Sequence, residues 1–312
     1  MSSSVRSICD VPGIRVGHAQ DEIAMTGCTV VIPEHGAVAG VDVRGSAPGT
    51  REIEAIKPVR LVSEIHAVLF AGGSAFGLNA AGGVQQYLEE NGVGFDVKVT
   101  TVPIVPTAVI FDLFEGDHKI RPDKQMGYQA AQNATQKHPG EGRVGAGTGA
   151  TVGKVAGPQG SMNGGIGTTS EAVQGVHVGA LAVVNAFGDI VDPNTSQIVA
   201  GAVDETGAFL NSERHIRRHS EDVFRADINT TLAVVATDAK LTKEEVTKIA
   251  QMAHDGVARV TRPAHTPVDG DLIICLSIGN KKSNVLTLGS VAADVVAQSI
   301  LRAVRASNHV ES

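Results

Sequence analysis

The chain has 312 residues, of which 42% are apolar and 19% charged, and a formal charge of −7. This balance excludes a disordered chain, and the scattered basic residues, apart from RHIRRH at 214–219, leave no electrostatic footprint for nucleic acid. No run approaches the length of apolar residues that spans a membrane, and the N-terminal MSSSVRSICDVPGIRVGH has no apolar leader core, so a cytoplasmic protein without a membrane partner is the expectation.

In chain order, strand-like apolar runs occur at GCTVVIP (27–33), VLFAGG (68–73), TVPIVPTAVIFDL (101–113), VHVGALAVVNAFG (176–188), TTLAVVATD (230–238) and DLIICLSIG (271–279). Several are apolar at successive positions, which predicts a sheet covered on both faces. Helical periodicity occurs at 76–92, where Leu78, Val84 and Leu88 share a face, and again at 288–306 through Val291, Val295, Ile300 and Val304. The clearest helix is 242–260. Thr242 and Glu245 form a capping box, and Val246, Ile249, Ala253, Val257 and Val260 form its stripe. The polar, charge-dense segment 205–229 shows no period and reads as a long surface loop ending at Asn229, and loops of that length are usually functional or processed. No fixed-period repeat is present.

The glycine-rich GRVGAGTGATVGK (142–154) fails the phosphate-loop pattern, since Thr148 stands where the first glycine belongs and Val155 follows Lys154. It reads instead as tight backbone packing or a turn near a substrate, with Lys154 either solvent-facing or directed into a site. Cys9, Cys28 and Cys275 have neither metal nor redox spacing, and His254, His265 and the pair His215/His219 share no helix face with carboxylates; only His215-x-x-x-His219 has ligand-like spacing, in a loop-like segment. No metal or cofactor is expected. Asp269-Gly270-Asp271 is either an ordinary D-G turn or a carboxylate pair that titrates as a unit. Thr230 taken alone is an ordinary β-branched residue entering a strand. Both features open apolar strands joined by one helix. If those strands are neighbours, Thr230 and the two acids meet at one end of a sheet. A threonine whose own α-amine serves as base is a known activated nucleophile, but Thr230 is internal, so the Asn229–Thr230 bond would first have to break.

The ordered motifs DVPGIRVGHA, TGCTVVI, LFAGGSAFGLNAAGGV, VPIVPTAVIFDL, GRVGAGTGATVGK, GGIGTTS, NTTLAVVATDAKLT and HTPVDGD resemble the DmpA-type L-aminopeptidase/D-esterase family, which includes β-peptidyl aminopeptidases and nylon-oligomer hydrolase. The resemblance implies an α/β (α+β) four-layer αββα sandwich related to N-terminal-nucleophile hydrolases. It implies one domain, 1–312, that cuts itself at Asn229–Thr230 into 1–229 and 230–312. It further implies a homo-oligomer, a tetramer of αβ units, acting on small peptides or amides. By that likeness Thr230 is the nucleophile, Asp269 and Asp271 hydrogen-bond and orient it, Asn185 stabilises the oxyanion, and Lys154 belongs to the hydrolytic site. Phe111 and Gly147 are candidate substrate contacts. Two positions depart from the family. Aminopeptidase members carry Ser in place of Asp269, and many members carry Tyr in place of Phe111, whose ring cannot donate a hydrogen bond. Two rival readings are an acyltransferase of the ornithine acetyltransferase type and an uncleaved binding or scaffold protein.

Overall fold

The computed structural model describes residues 5–218 and 229–309. Two five-stranded sheets are built, in chain order, from β1 (Ile14–Asp21), β2 (Thr26–Pro33), β3 (Val38–Val43), β4 (Thr50–Arg51), β5 (Val68–Ala71), β6 (Thr107–Val109), β7 (Gly165–Val173), β8 (Val176–Asn185), β9 (Thr230–Ala239) and β10 (Leu272–Lys281). The α-helices are α1 (Ala81–Glu90), α2 (Lys124–Gln132), α3 (Ser212–Arg218), α4 (Lys243–Val260) and α5 (Val285–Asn308).

The first sheet runs β1-β2-β5-β6-β4 and the second β7-β8-β9-β10-β3. Both repeat one pattern of neighbours: antiparallel, antiparallel, parallel, antiparallel.

Side-chain alternation sorts the residues into layers. In β9, Leu232, Val234 and Ala236 pack with Leu272 and Ile274 of β10 against Val16, Val31, Val68 and Phe70 of the first sheet, filling the space between the sheets. Ala233 and Val235, with Ile273 and Cys275, face the other way onto α4 and α5. On the far side of the first sheet, Cys28, Val30 and Leu69 pack on Val84 and Leu88 of α1 and Ala130 of α2. The order is therefore helices, sheet, sheet, helices: the expected αββα sandwich. Each fully buried Leu, Val or Ile contributes about 1.5–3 kcal/mol relative to exposure, so three cores of this size anchor the strand ends firmly.

The predicted runs at 27–33, 68–73, 176–188, 230–238 and 271–279 coincide with strands, and α4 begins with the expected capping box. The run at 101–113 yields only Thr101–Val102 and β6, because Pro103 and Pro106 cannot donate to a ladder. The segment read as a loop contains α3, whose N-cap Asn211 accepts the Arg214 N–H at 3.0 Å and whose first N–H, that of Ser212, donates to the distant Asp189 carboxylate at 2.6 Å. Sequence pattern cannot show the long-range tie to Asp189, and the helix carries no apolar stripe to reveal it. Residues 219–228 of that segment, including His219, lie outside the described residues. The helix α5 is long and apolar enough to cross a membrane by length and composition, contrary to the sequence reading. Its apolar residues, among them Val296, Ile300 and Val304, are spent on the helix–sheet core.

Candidate active site

Three strands deliver their ends to one place. β9 and β10 run parallel with Leu232 opposite Leu272, and a further bridge joins Asn229 to Asp269. β8 runs antiparallel to β9 and sets Asn185 directly opposite Thr230. Neighbouring strands joined by α4 thus bring Thr230 and the acidic loop together at one sheet end, the condition on which the sequence reading depended. Asn229, Thr230, Asp269 and Asp271 are all buried.

The Thr230 hydroxyl donates to the carbonyl oxygen of Asn229 at 2.5 Å. That same oxygen accepts the Gly270 N–H at 2.7 Å, while the Asn229 N–H donates to the Val268 carbonyl at 3.0 Å. The peptide between Asn229 and Thr230 is therefore clamped, with its carbonyl polarised and a hydroxyl beside it. Gly270 is required here, because a Cβ on it would stand 2.8 Å from both Thr230 Oγ1 and the Ala47 carbonyl oxygen.

The two carboxylates act through other groups than the resemblance implied. Asp271 Oδ1 accepts the Thr231 N–H at 2.6 Å, and its Oδ2 faces His265, with the backbone N at 3.0 Å and Nδ1 at 2.8 Å. Asp269 Oδ2 accepts the Thr266 N–H at 3.0 Å and the Thr266 hydroxyl, and its Oδ1 accepts the Phe187 N–H at 3.4 Å. The expected direct bond to the Thr230 hydroxyl is replaced by a grip on the backbone around it. The parallel register accounts for this: it sets Asp271 beside Thr231, one position beyond Thr230. Burial, reinforced by the neighbouring Asp271 charge, pushes the Asp269 carboxyl up to about 6.

Behind Thr230, Lys154 Nζ donates to the Asn185 carbonyl at 3.0 Å and to its Oδ1 at 2.8 Å. The Thr151 N–H donates to Asn185 Oδ1 at 3.0 Å, and Asn185 Nδ2 donates to the Phe111 carbonyl at 3.1 Å. Lys154 is buried, not solvent-facing, and burial pushes it down to about 7 against the opposing charges of Asp269, Glu115 and Asp112. Phe111 enters the site through its carbonyl, while its ring stacks edge to face on Phe114 at 5.2 Å.

Gly147 packs tightly against a neighbouring strand. It is buried, and a Cβ there would come within 2.7 Å of the backbone of Gly165 and Ile166. Sequence reasoning missed Asp112, which is buried and accepts the Thr26 hydroxyl and the Gly73 N–H, each at 2.7 Å. Its position beside Phe111 in VIFDL was the available signal. The two histidines set aside for lack of a common helix face do meet: the rings of His254 and His265 are 4.8 Å apart, edge to face. Among the described residues no group of three His, Cys, Asp or Glu side chains is arranged to hold a metal ion. A cavity of about 450 Å³ adjoins the acidic loop, walled by Phe187, Pro263, Thr266, Val268 and, from α3, Ile216 and Arg217.

The arrangement sets a hydroxyl and an N–H donor on one carbonyl, near a carboxyl that burial pushes up to about 6 and a lysine that burial pushes down to about 7. This is a set suited to acyl transfer. The family model for peptidase family S58 matches residues 6–312. An uncharacterized aminopeptidase of Mycobacterium tuberculosis is 41% identical, over 96% of this chain and 94% of its own. A 6-aminohexanoate-oligomer endohydrolase of Paenarthrobacter ureafaciens is 29% identical, over 94% of this chain and 84% of its own. The solved structure of a β-aminopeptidase from Burkholderia sp. superposes with a TM-score of 0.70 at 23% identity, covering 100% of this chain and 90% of that one, and so shares the fold. The chain is a hydrolase and belongs to peptidase family S58.

Proposed function

We propose that the protein is a self-processing amidohydrolase whose nucleophile is Thr230, releasing the N-terminal residue of small peptides or cleaving amino-acid amides. The observation that carries this reading is the clamped peptide at Asn229–Thr230, with the hydroxyl 2.5 Å and the Gly270 N–H 2.7 Å from one carbonyl oxygen. In the first stage the Thr230 hydroxyl attacks the Asn229 carbonyl carbon, and the Gly270 N–H receives the developing oxyanion. The hydroxyl proton passes to the Thr230 nitrogen as the C–N bond breaks, leaving an ester. Water hydrolyses the ester, giving an Asn229 carboxylate and a free Thr230 amine and hydroxyl. Fixed geometry makes such an attack feasible, since effective molarities reach about 10⁵–10⁸ M.

In the second stage the new α-amine, whose ordinary pKa is about 7.7–8.0, takes the hydroxyl proton as Thr230 attacks a substrate amide. The proton then goes to the leaving amine, and water releases the acyl group. The Gly270 N–H, freed of the Asn229 carbonyl, is available to the substrate's oxyanion alongside the second N–H of Asn185. Lys154 holds Asn185 in place. The relatives named as an aminopeptidase and a 6-aminohexanoate-oligomer endohydrolase support a small amide as substrate. Association of the cut units into a tetramer belongs to the same proposal and is read by light scattering.

The test is intact mass under denaturing conditions, for the wild type and for Thr230→Ala. Two chains meeting between Asn229 and Thr230 are expected from the wild type, and one inactive chain from the variant. Two chains from Thr230→Ala would end the proposal.

A further inference from the structure

His265 stands between α4 and the acidic loop, and the scheme above gives it no task. Its backbone is left-handed, at φ +55°. That turn makes the backbone N–H and the imidazole converge on one oxygen, Asp271 Oδ2, at 3.0 and 2.8 Å. Facing a carboxylate, Nδ1 is the nitrogen that carries the proton. The other oxygen, Oδ1, grips the Thr231 N–H at 2.6 Å. Asp271 is thus a bridge from His265 to the residue that follows Thr230.

The ring is itself backed. His254, buried on α4, meets it edge to face with centroids 4.8 Å apart. The His254 Nε2–H lies 3.1 Å from the Asp42 carbonyl, which can only accept, so Nδ1 of His254 is bare. That nitrogen and Nε2 of His265 are both buried without a hydrogen-bond partner. Orphaned polar atoms of this kind are rare and costly, and they persist where another requirement holds the groups in place.

We propose that His265 is a positioning residue for the nucleophile: it fixes the Asp271 carboxylate, and Asp271 fixes the start of β9 so that Thr230 presents its hydroxyl correctly. The proposal rests on Thr230 being the nucleophile. Without the imidazole, Asp271 keeps a backbone N–H on each oxygen but loses its charge-assisted side-chain tie, so the acceptor of the Thr231 N–H is held less firmly.

Two substitutions separate this role from packing. His265→Gly removes the ring, keeps the backbone N–H and adopts positive φ without strain. His265→Asn keeps a donor where Nδ1 stands and also tolerates the left-handed region. Both are assayed as full chains, beside wild type and Thr230→Ala, on amino-acid p-nitroanilides. A hydrogen bond to a charged group lost from a transition-state constellation predicts about a 10- to 100-fold fall in kcat for His265→Gly, with KM within about threefold. His265→Asn is expected within about threefold of wild type in kcat. An inert Thr230→Ala with His265→Gly at the wild-type rate overturns this proposal alone, as does His265→Asn falling as far as His265→Gly. An active Thr230→Ala overturns the nucleophile itself and this proposal with it. Should His265→Gly not accumulate folded, His265→Asn decides alone: a tenfold or greater loss of its kcat overturns the proposal.

Discussion

Replacing Lys154 by Met tests the electrostatics of the site with a sign and a size. An ordinary lysine releases its proton near 10.5, whereas burial pushes Lys154 down to about 7. Between those values the unfolded chain holds the proton and the folded chain does not, so stability rises with pH across that window. The sign follows: stability is fully present above 10.5 and is lost as pH falls through 7. At about 1.4 kcal/mol per pH unit, the buried lysine costs about 5 kcal/mol at pH 6 and about 3 kcal/mol at pH 8.5. Lys154→Met also removes the two bonds to Asn185 and leaves its oxygens less satisfied, at a cost that is the same at both pH values. The difference between the two pH values therefore isolates the titration. Relative to its parent, Lys154→Met should be about 2 kcal/mol more favourable at pH 6 than at pH 8.5. Loss of the ammonium charge also lets the Asp269 carboxyl rise further, which adds to the difference in the same direction. The assay is urea unfolding followed by far-UV circular dichroism in a Thr230→Ala background, where the chain is expected to stay single and one transition can be analysed. An effect of Lys154→Met that is equal at the two pH values, or larger at pH 8.5, would refute the reasoning.

Gly270→Ala places a Cβ 2.8 Å from Thr230 Oγ1 and from the Ala47 carbonyl oxygen, so it should cost about 1–3 kcal/mol and slow self-cleavage at least about tenfold; a mass time course showing wild-type cleavage would contradict this. Asn185→Ala, measured on amino-acid p-nitroanilides, should lower kcat about 10²- to 10³-fold with KM little changed if its side chain serves the oxyanion. A matching rise in KM would assign it to ground-state binding instead. Burial pushes His254 down to about 4, so the folded state binds fewer protons than the unfolded chain between pH 4 and 6.5, and stability falls as pH drops through that range. His254→Gln keeps a donor for the Asp42 carbonyl and removes the titration. In the Thr230→Ala background it should flatten the acid slope by up to about 1.4 kcal/mol per pH unit, read as urea midpoints at pH 4.5 and 6.5.

The parts of the fold legible in the sequence are those that obey a short period. The buried strands β2, β8, β9 and β10 read as unbroken apolar runs because both their faces are covered, and α4 declares itself by its capping box and stripe. The strands β1, β3 and β7 escape, since His18, Asp42 and Thr168–Thr169 interrupt their apolar character while ladder partners hold them. The short helix α3 escapes because its polar, charged sequence SERHIRR carries no apolar stripe, although Asn211 caps it locally. In the site, Thr230 and the 269–271 loop were legible as two strand openings joined by a helix. The grip of Asp271 on Thr231 in place of Thr230 was not, because it depends on a parallel register no single strand encodes. His265 was invisible for a related reason: a search for shared helix faces cannot find a ring delivered by a left-handed turn in a loop.

The site also explains why the second sheet is mixed. Two parallel strands joined by a crossover helix have their N-terminal ends at the same edge. That rule alone sets the start of β9, which carries Thr230, beside the approach to β10, which carries Asp269, Gly270 and Asp271. An antiparallel neighbour contributes its C-terminal end to the same edge, and β8 accordingly supplies Asn185 opposite Thr230. Had β9 and β10 been joined by a hairpin, the acidic loop would have followed the end of β9, a full strand length of about 33 Å from Thr230 for ten residues. The helix α4 is therefore as much a condition of the chemistry as any side chain in the site. Its apolar stripe, packed against the second sheet, fixes the connection that brings Thr230, the acid pair and Asn185 to one sheet edge.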